Sequence, residues 1–288
     1  MKPQPSEESS IRLPSRRLLA SLAEPFVKLD FALGAWGSRR LLERGPEGLP
    51  LHLLADRLSG RLFERSADRE TKRRHLRAAE TIDELIDRAG EALFANQKRT
   101  EIAQLLQAVR ALEPSCILEI GVAGGGTNLL LSCVHPSVRF VAAIDLYVRN
   151  KEKLAYYAPS GQERLFLDAS SYAPSTVSQV TDKLAGRKLD ALFIDGDHEY
   201  DGARRDFEAY SPLVRAGGII AFHDIVPDEV TRTGTFTGNW VGEVPALWKD
   251  IKAAYPTARE FIADPRQDGY GIGMIEFDPT IVPQFRAR

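Results

Sequence analysis

The sequence predicts an α/β fold: a mostly parallel sheet covered by helices on both faces, with a helical N-terminal appendage. Three observations carry this. Beyond residue 95, short continuous apolar runs alternate with amphipathic stretches, the pattern of strands buried on both faces. Most of these runs stop at a glycine or an acidic residue, as strands do at the ligand-binding edge of such sheets. Before residue 95, apolar residues recur instead at helical spacing among many charges.

In chain order, residues 1–15 carry three prolines, several serines and little to bury, and are expected to be disordered. From Arg16 to Ala95 the pattern is helical, broken by the turn signal Gly45-Pro46-Glu47-Gly48. Leu76, Ala79, Ile82, Leu85 and Ile86 define an apolar stripe, which is expected to pack on a second copy of the chain or over the active edge. Lys72, Arg73, Arg74 and Arg77 could face an anionic partner, but Glu80, Asp83 and Glu84 balance them, and a solvated helix face is the expectation. The chain therefore divides into a helical region, 1–95, and a sheet domain, 96–288. In the second part the apolar runs are Cys116–Ile120, Phe140–Ile144, Leu165–Leu167, Ala191–Ile194 and Gly218–Phe222. Two late runs, Phe261–Ala263 and Tyr270–Phe277, close the chain. Helical stretches are expected at Thr100–Leu112 and Asp201–Val214.

Composition narrows the function. A formal net charge of −2 gives no global reason to bind nucleic acid or an anionic membrane. The polar N-terminus and short apolar runs exclude a signal h-region or a membrane span, so a cytoplasmic location is expected. Cys116 and Cys133 have no metal-type spacing and are expected to be buried thiols.

The strongest motif is Ile117-Leu-Glu-Ile-Gly121-Val-Ala-Gly124-Gly125-Gly126-Thr127-Asn128, a buried strand breaking into a glycine loop that opens a helix. Alone it fits a tight strand–helix turn equally well. Ala123 stands where a dinucleotide fingerprint needs its second glycine, which disfavours a NAD-dependent oxidoreductase. Glu119 would repel a pyrophosphate but suits a cationic or amine-bearing ligand; a carboxylate there is costly unless it serves something. Asp145 lies 24 residues past Gly121, near the spacing of an acid that grips ribose hydroxyls. Together these point to a nucleoside without phosphates and with positive charge nearby, as in S-adenosylmethionine.

On EIGVAGGG and AAIDL the chain resembles the class I S-adenosylmethionine-dependent methyltransferases over about Gln97–Phe277. The resemblance implies a Rossmann-like, seven-stranded, mostly parallel sheet, its last two runs forming a terminal hairpin with one antiparallel strand. It also implies that Gly121, Gly124 and Gly125 line the methionine part of the cofactor, that Asp145 holds the ribose, and that Asp168 lies near the adenine.

A second cluster lies at Asp195-Gly-Asp197-His198-Glu199-Tyr200 and His223-Asp224. Two carboxylates and two imidazoles at neighbouring strand ends could hold a divalent cation, with a nearby base taking a hydroxyl proton. The alternative is that they cap the following helices and bond to one another. The stretch IDGDHEYDG…RRDFE…GGIIAFHD resembles metal-dependent O-methyltransferases related to cephalosporin-hydroxylase-like proteins and macrolide-sugar methyltransferases. That resemblance implies Mg²⁺ or Mn²⁺ on Asp195 and Asp224, with His223 at a third ligand position that is acidic in those proteins. It makes His198 the general base beside Asp195, and Asp197 a further ligand or a helix cap. The expected activity is methyl transfer to a hydroxyl of a sugar or other small natural product. The alternatives are a metal-independent methyltransferase with His198 as base, and a non-catalytic cofactor-binding module. His52, His75 and His135 are isolated and expected to be structural or exposed. The long polar segment Val226–Gly242 is expected to shape the acceptor side, with Trp240 either stacking on the acceptor or packing, and Trp248 packing.

Overall fold

In the computed structural model, Phe63 and residues 68–286 are described. The expected disordered start, the Gly45–Gly48 turn and His52 lie outside these residues. Two short helices, α1 (Arg69–Arg77) and α2 (Ile82–Gly90), lead to α3 (Arg99–Ala111). Alternation then begins: β1 (Cys116–Ile120), α4 (Gly126–Cys133), β2 (Phe140–Asp145), α5 (Lys151–Tyr157), β3 (Glu163–Asp168), α6 (Pro174–Leu184) and β4 (Leu189–Ile194). The chain continues through α7 (Tyr200–Tyr210), a 3₁₀ turn (Ser211–Leu213), β5 (Val214–His223), α8 (Glu229–Thr233), α9 (Val244–Ala254), β6 (Arg259–Phe261) and β7 (Ile272–Glu276).

The seven strands form one sheet in the order β3-β2-β1-β4-β5-β7-β6. Strands β1 to β5 run parallel, and β7 inserts antiparallel between β5 and β6. Because side chains alternate along each strand, the sheet feeds two cores. Ile117, Val141, Ala143, Ala191 and Phe193 face one side, where Leu76, Leu85, Leu105, Leu129 and Leu154 of the first five helices pack. Leu118, Ile120, Ala142, Ile144 and Leu192 face the other, against Val180 of α6, Phe207 of α7 and Trp248 of α9.

Local chemistry sets the helix starts. Thr81 and Glu84 form a reciprocal capping box at α2. Pro174 opens α6, where its missing N–H costs nothing. Gly125, at φ +90°, turns the chain into α4. The stripe expected to pack on a second copy or over the active edge has Leu76, Ile82 and Leu85 buried within the chain, in the first core. Cys116 is buried and Cys133 partly so; neither is in a disulfide.

Some boundaries differ from expectation. Strand β5 begins at Val214, four residues early: Val214 pairs with Leu189, the register then shifts, and the following Arg215–Gly217 are too polar or exposed to form an apolar run. Helix α7 correspondingly stops at Tyr210, two residues before Pro212. Strand β6 sits two residues earlier than the run Phe261–Ala263, since Arg259 and Glu260 pair with β7 as exposed edge residues. The polar segment after β5 contains the short helix α8. No helix among the described residues is long and apolar enough to cross a membrane.

Candidate active site

The strand order reverses between β1 and β4, and in open parallel sheets ligands settle in the crevice at such a point. Here the loops after these two strands touch. Gly121 adopts φ +81°, and a Cβ on it would lie 1.9 Å from the Asp195 carbonyl oxygen. Only glycine allows that approach. Gly126 is equally constrained, since a Cβ there would lie 2.2 Å from the Phe94 backbone. Gly124 has ordinary space around it, and Ala123 itself takes a left-handed conformation at φ +45°.

Asp145, at the end of β2, holds this loop. Its Oδ2 accepts the N–H groups of Val122 (2.8 Å) and Ala123 (3.0 Å), and its Oδ1 that of Tyr147 (3.2 Å). Burial pushes its pKa up, against the pull of these amides. Asp168 accepts the Val148 N–H at 2.9 Å and pairs with Lys151. Glu119 lies under α4 with 1% exposure. Burial raises its pKa well above the carboxylate range, despite nearby Asn128 and Arg164, and its Oε2 has no hydrogen-bond partner among the described residues. The structure therefore brings Asp145 to the loop from the open edge and Glu119 from beneath it.

Across the crevice, β4 delivers Asp195 and β5 delivers His223 and Asp224. Ligand atoms of Asp195, His198 and Asp224 all lie within 4.8 Å of one another, a spacing that suits one metal ion. His198 Nε2 is 3.6 Å from Asp224 Oδ2 and 3.9 Å from Asp195 Oδ1. Its Nδ1 lies 2.8 Å from the Trp240 carbonyl oxygen. A carbonyl only accepts, so Nδ1 carries a hydrogen; Nε2, the atom facing the carboxylates, holds the lone pair whenever the ring is neutral.

His223 sits behind them, 3% exposed, with Nδ1 at 3.2 Å from Asp195 Oδ1 and 3.3 Å from Asp224 Oδ1. Burial works against its charged form, but the two carboxylates outweigh this and hold its pKa well above the imidazole range. Its Nδ1–H thus braces the carboxylates, and it is not in the ligand cluster, although sequence reading makes it a ligand. Asp224 takes φ +60°, a strained conformation for a non-glycine residue that turns its carboxylate into the cluster. Burial pushes its pKa up, yet the His223 charge and hydrogen bond, with His198 and the Tyr270 N–H, hold it below the ordinary value. Asp197 accepts the Glu199 N–H at 2.9 Å, a turn-forming contact.

Three contributors escape sequence reading. Gln97 donates Nε2–H to Asp195 Oδ2 at 3.0 Å. The Tyr270 N–H supports Asp224 Oδ1 at 3.1 Å. Glu101 is wholly buried on α3 and accepts from Gly271 N–H (3.0 Å), Gln267 Nε2 (2.7 Å) and Ala263 N–H (3.0 Å), clamping the β6–β7 connection that carries Tyr270. Nothing local marks Gln97 or Tyr270. Glu101 carries a weak signal, as a carboxylate one residue from Ile102 on a predicted amphipathic helix.

A glycine loop after β1, an acid after β2 and a doubly covered parallel sheet agree with the arrangement that the resemblance to class I S-adenosylmethionine-dependent methyltransferases implies. Residues 118–225 match the protein-family model described as a methyltransferase domain. Some solved structures are similar to it at low identity. An O-methyltransferase from Bacillus cereus, in complex with S-adenosylhomocysteine, is 19% identical over 69% of this chain and 91% of its own (TM-score 0.47). TomG, an O-methyltransferase from Streptomyces achromogenes involved in tomaymycin synthesis, is 16% identical over 67% and 89% (TM-score 0.48). MycE from the mycinamycin biosynthetic pathway, in complex with Mg, S-adenosylhomocysteine and mycinamycin VI, is 16% identical over 72% and 58% (TM-score 0.48).

Proposed function

We propose that the chain is an O-methyltransferase that moves the S-adenosylmethionine methyl group to a hydroxyl of a sugar or other small natural product, with a divalent cation held by Asp195 and Asp224. One observation carries this reading: two carboxylates and the Nε2 atom of an imidazole held through Nδ1 converge at strand ends beside the glycine loop. Oxygen donors suit Mg²⁺ or Mn²⁺, and one imidazole does not disqualify either. The cofactor side fits as well, with side-chain-free glycines at the crevice and Asp145 at its rim.

A divalent cation held by Asp195 and Asp224 would lower the pKa of the acceptor hydroxyl. His198 Nε2 is placed to take the proton, its ring held by Trp240. A positioned base of this kind contributes roughly 10²–10⁴-fold. His223 fixes the orientation of both carboxylates from behind. Asp145 keeps the glycine loop in its binding shape and reaches the ribose from the same rim, Gly121, Gly124 and Gly125 admit the methionine part, and Asp168 stands on the adenine side. Glu119 supports that loop from below. Phe236 (69% exposed) and Trp240 (41% exposed) offer apolar faces to a sugar ring or an aromatic acceptor.

A second reading follows from the same cluster: His198 Nε2 is itself the third cation ligand. One lone pair cannot do both jobs at once. The test is calorimetric titration of Mn²⁺ into wild type, Asp224→Ala and His198→Ala, beside a screen of hydroxylated metabolites for methyl transfer with and without chelator. The proposal expects Asp224→Ala to lose the cation while keeping S-adenosylmethionine, His198→Ala to keep the cation and lose rate, and chelator to abolish turnover. Loss of the cation in His198→Ala selects the second reading. Full turnover in excess chelator removes the cation from the reaction.

A further inference from the structure

The segment between α2 and α3 crosses the crevice and touches both halves of the site. At Phe94 its backbone lies over Gly126, so closely that no side chain fits there. Three residues on, Gln97 spans the gap. Its Nε2 donates to Asp195 Oδ2 at 3.0 Å, and its Oε1 accepts the hydroxyl hydrogen of Thr127, the second residue of α4. The direction of both bonds is forced. A carboxylate only accepts, so the amide nitrogen must face Asp195 and the amide oxygen must face Thr127, which then donates. Asp195 is thereby held on both oxygens, Oδ2 by Gln97 and Oδ1 by the Nδ1–H of His223.

We propose that Gln97 is a positioning residue that couples the glycine loop to Asp195, so that binding of the cofactor and binding of the cation favour one another. This rests on the reading above, in which Asp195 is a cation ligand. The reasoning is mechanical. A cofactor that fixes the first turn of α4 fixes the Thr127 hydroxyl. That hydroxyl fixes the Gln97 amide, and the amide fixes the rotation of the Asp195 carboxylate. A ligand group held in its binding rotamer loses less entropy when the cation arrives. Linkage makes the effect reciprocal: each ligand tightens the other by the same factor.

S-adenosylhomocysteine is the right probe. It is a neutral thioether at sulfur, so the repulsion between a sulfonium and a cation is absent and the connection through the protein remains. It also transfers no methyl group, so the readout is binding alone. Mn²⁺ affinity is measured by calorimetry with and without saturating S-adenosylhomocysteine, in wild type, Gln97→Ala and Thr127→Val. Thr127→Val is nearly isosteric, removes the far arm of the bridge and touches no proposed cation ligand, so it serves even if Gln97→Ala folds poorly. In wild type, Mn²⁺ should bind at least about fivefold more tightly when S-adenosylhomocysteine is present, the lower end of usual allosteric coupling. In both variants that ratio should fall towards one while each ligand still binds alone. A merely structural role would weaken both affinities and leave their ratio intact. A ratio of one in wild type, or an undiminished ratio in a folded variant, overturns the coupling while leaving the cation site standing. No Mn²⁺ binding in wild type overturns the cation site and the coupling with it.

Discussion

His198 lies nearly parallel to the Trp240 ring, with centroids 5.4 Å apart and planes 24° apart, and donates to the backbone carbonyl of that same residue. One residue thus controls both the tilt of the imidazole and its tautomer. The neutral ring is expected to be the Nδ1–H form, and ¹⁵N chemical shifts of His198 at alkaline pH check this. A spectrum of the Nε2–H form would remove His198 Nε2 as base and as ligand alike. Trp240→Ala should loosen the ring and cut methyl transfer by about tenfold or more, in proportion to the lost share of a positioned base. Trp240→Phe should recover most of it.

Asp145→Ala should weaken S-adenosylmethionine binding by at least about tenfold, since a charge-assisted hydrogen bond contributes roughly 1.5–3 kcal/mol. The loss has two sources, the ribose contact and the release of the Val122 and Ala123 amides. Calorimetry reads it directly, and an unchanged dissociation constant removes Asp145 from the site.

Gly121→Ala should cost about 2 kcal/mol or more, because a left-handed backbone and a clash with the Asp195 backbone fall on the same residue. Gly124→Ala meets only ordinary contact, at 3.6 Å from the Phe94 carbonyl oxygen, and should cost much less. Urea denaturation of the two variants compares them. Equal losses would show that the crevice is looser than its geometry indicates.

The last prediction concerns pH. Asp206 is buried in α7, accepts the Ser171 hydroxyl and leaves its Oδ2 unpaired among the described residues. Burial pushes its pKa up to about 7 from 3.8, and Asp197 adds to the rise. The folded chain therefore keeps this proton across a range in which the unfolded chain has lost it. Stability contributed by the proton is whole below the unfolded value and declines as pH rises through the folded one. At roughly 1.4 kcal/mol per unit the decline amounts to a few kcal/mol. Asp206→Asn mimics the protonated acid, so wild type should lose stability relative to this variant between pH 5 and pH 8. A stability difference that stays constant over that interval would falsify the assignment.

Strand positions were readable because a strand buried on both faces must be apolar throughout, as Cys116–Ile120 and Phe140–Ile144 are. Where a strand is exposed composition is silent: Arg259–Glu260 are held by pairing with β7, and Arg215–Gly217 lie at a register shift between paired stretches of β5. The same distinction governs the site. Asp145, Asp195 and Asp224 stand at strand ends, and the logic of parallel sheets points to them. Gln97 lies 98 residues from Asp195 in a connection between helices, and only the assembled sheet brings the two together. His223 shows another gap: sequence places it at the right edge but does not say which ring nitrogen meets the carboxylates. Helices α1 and α2 were legible as amphipathic, yet periodicity could not name the surface they cover, which is α4 and its neighbours in the first core.

The insertion of β7 between β5 and β6 has a consequence for synthesis. Until residues 259–276 emerge, β5 is the bare edge of the sheet, with Ile219 to His223 lacking the partners Glu276 to Ile272. An uncovered apolar edge strand is a template for pairing with other chains. Asp224 is also without the Tyr270 amide in that interval. A chain released before residue 258 should therefore aggregate through β5, and a ribosome-bound intermediate of that length should attract chaperones that shield sheet edges. The site is thus completed by a segment made well after the strands that carry its carboxylates.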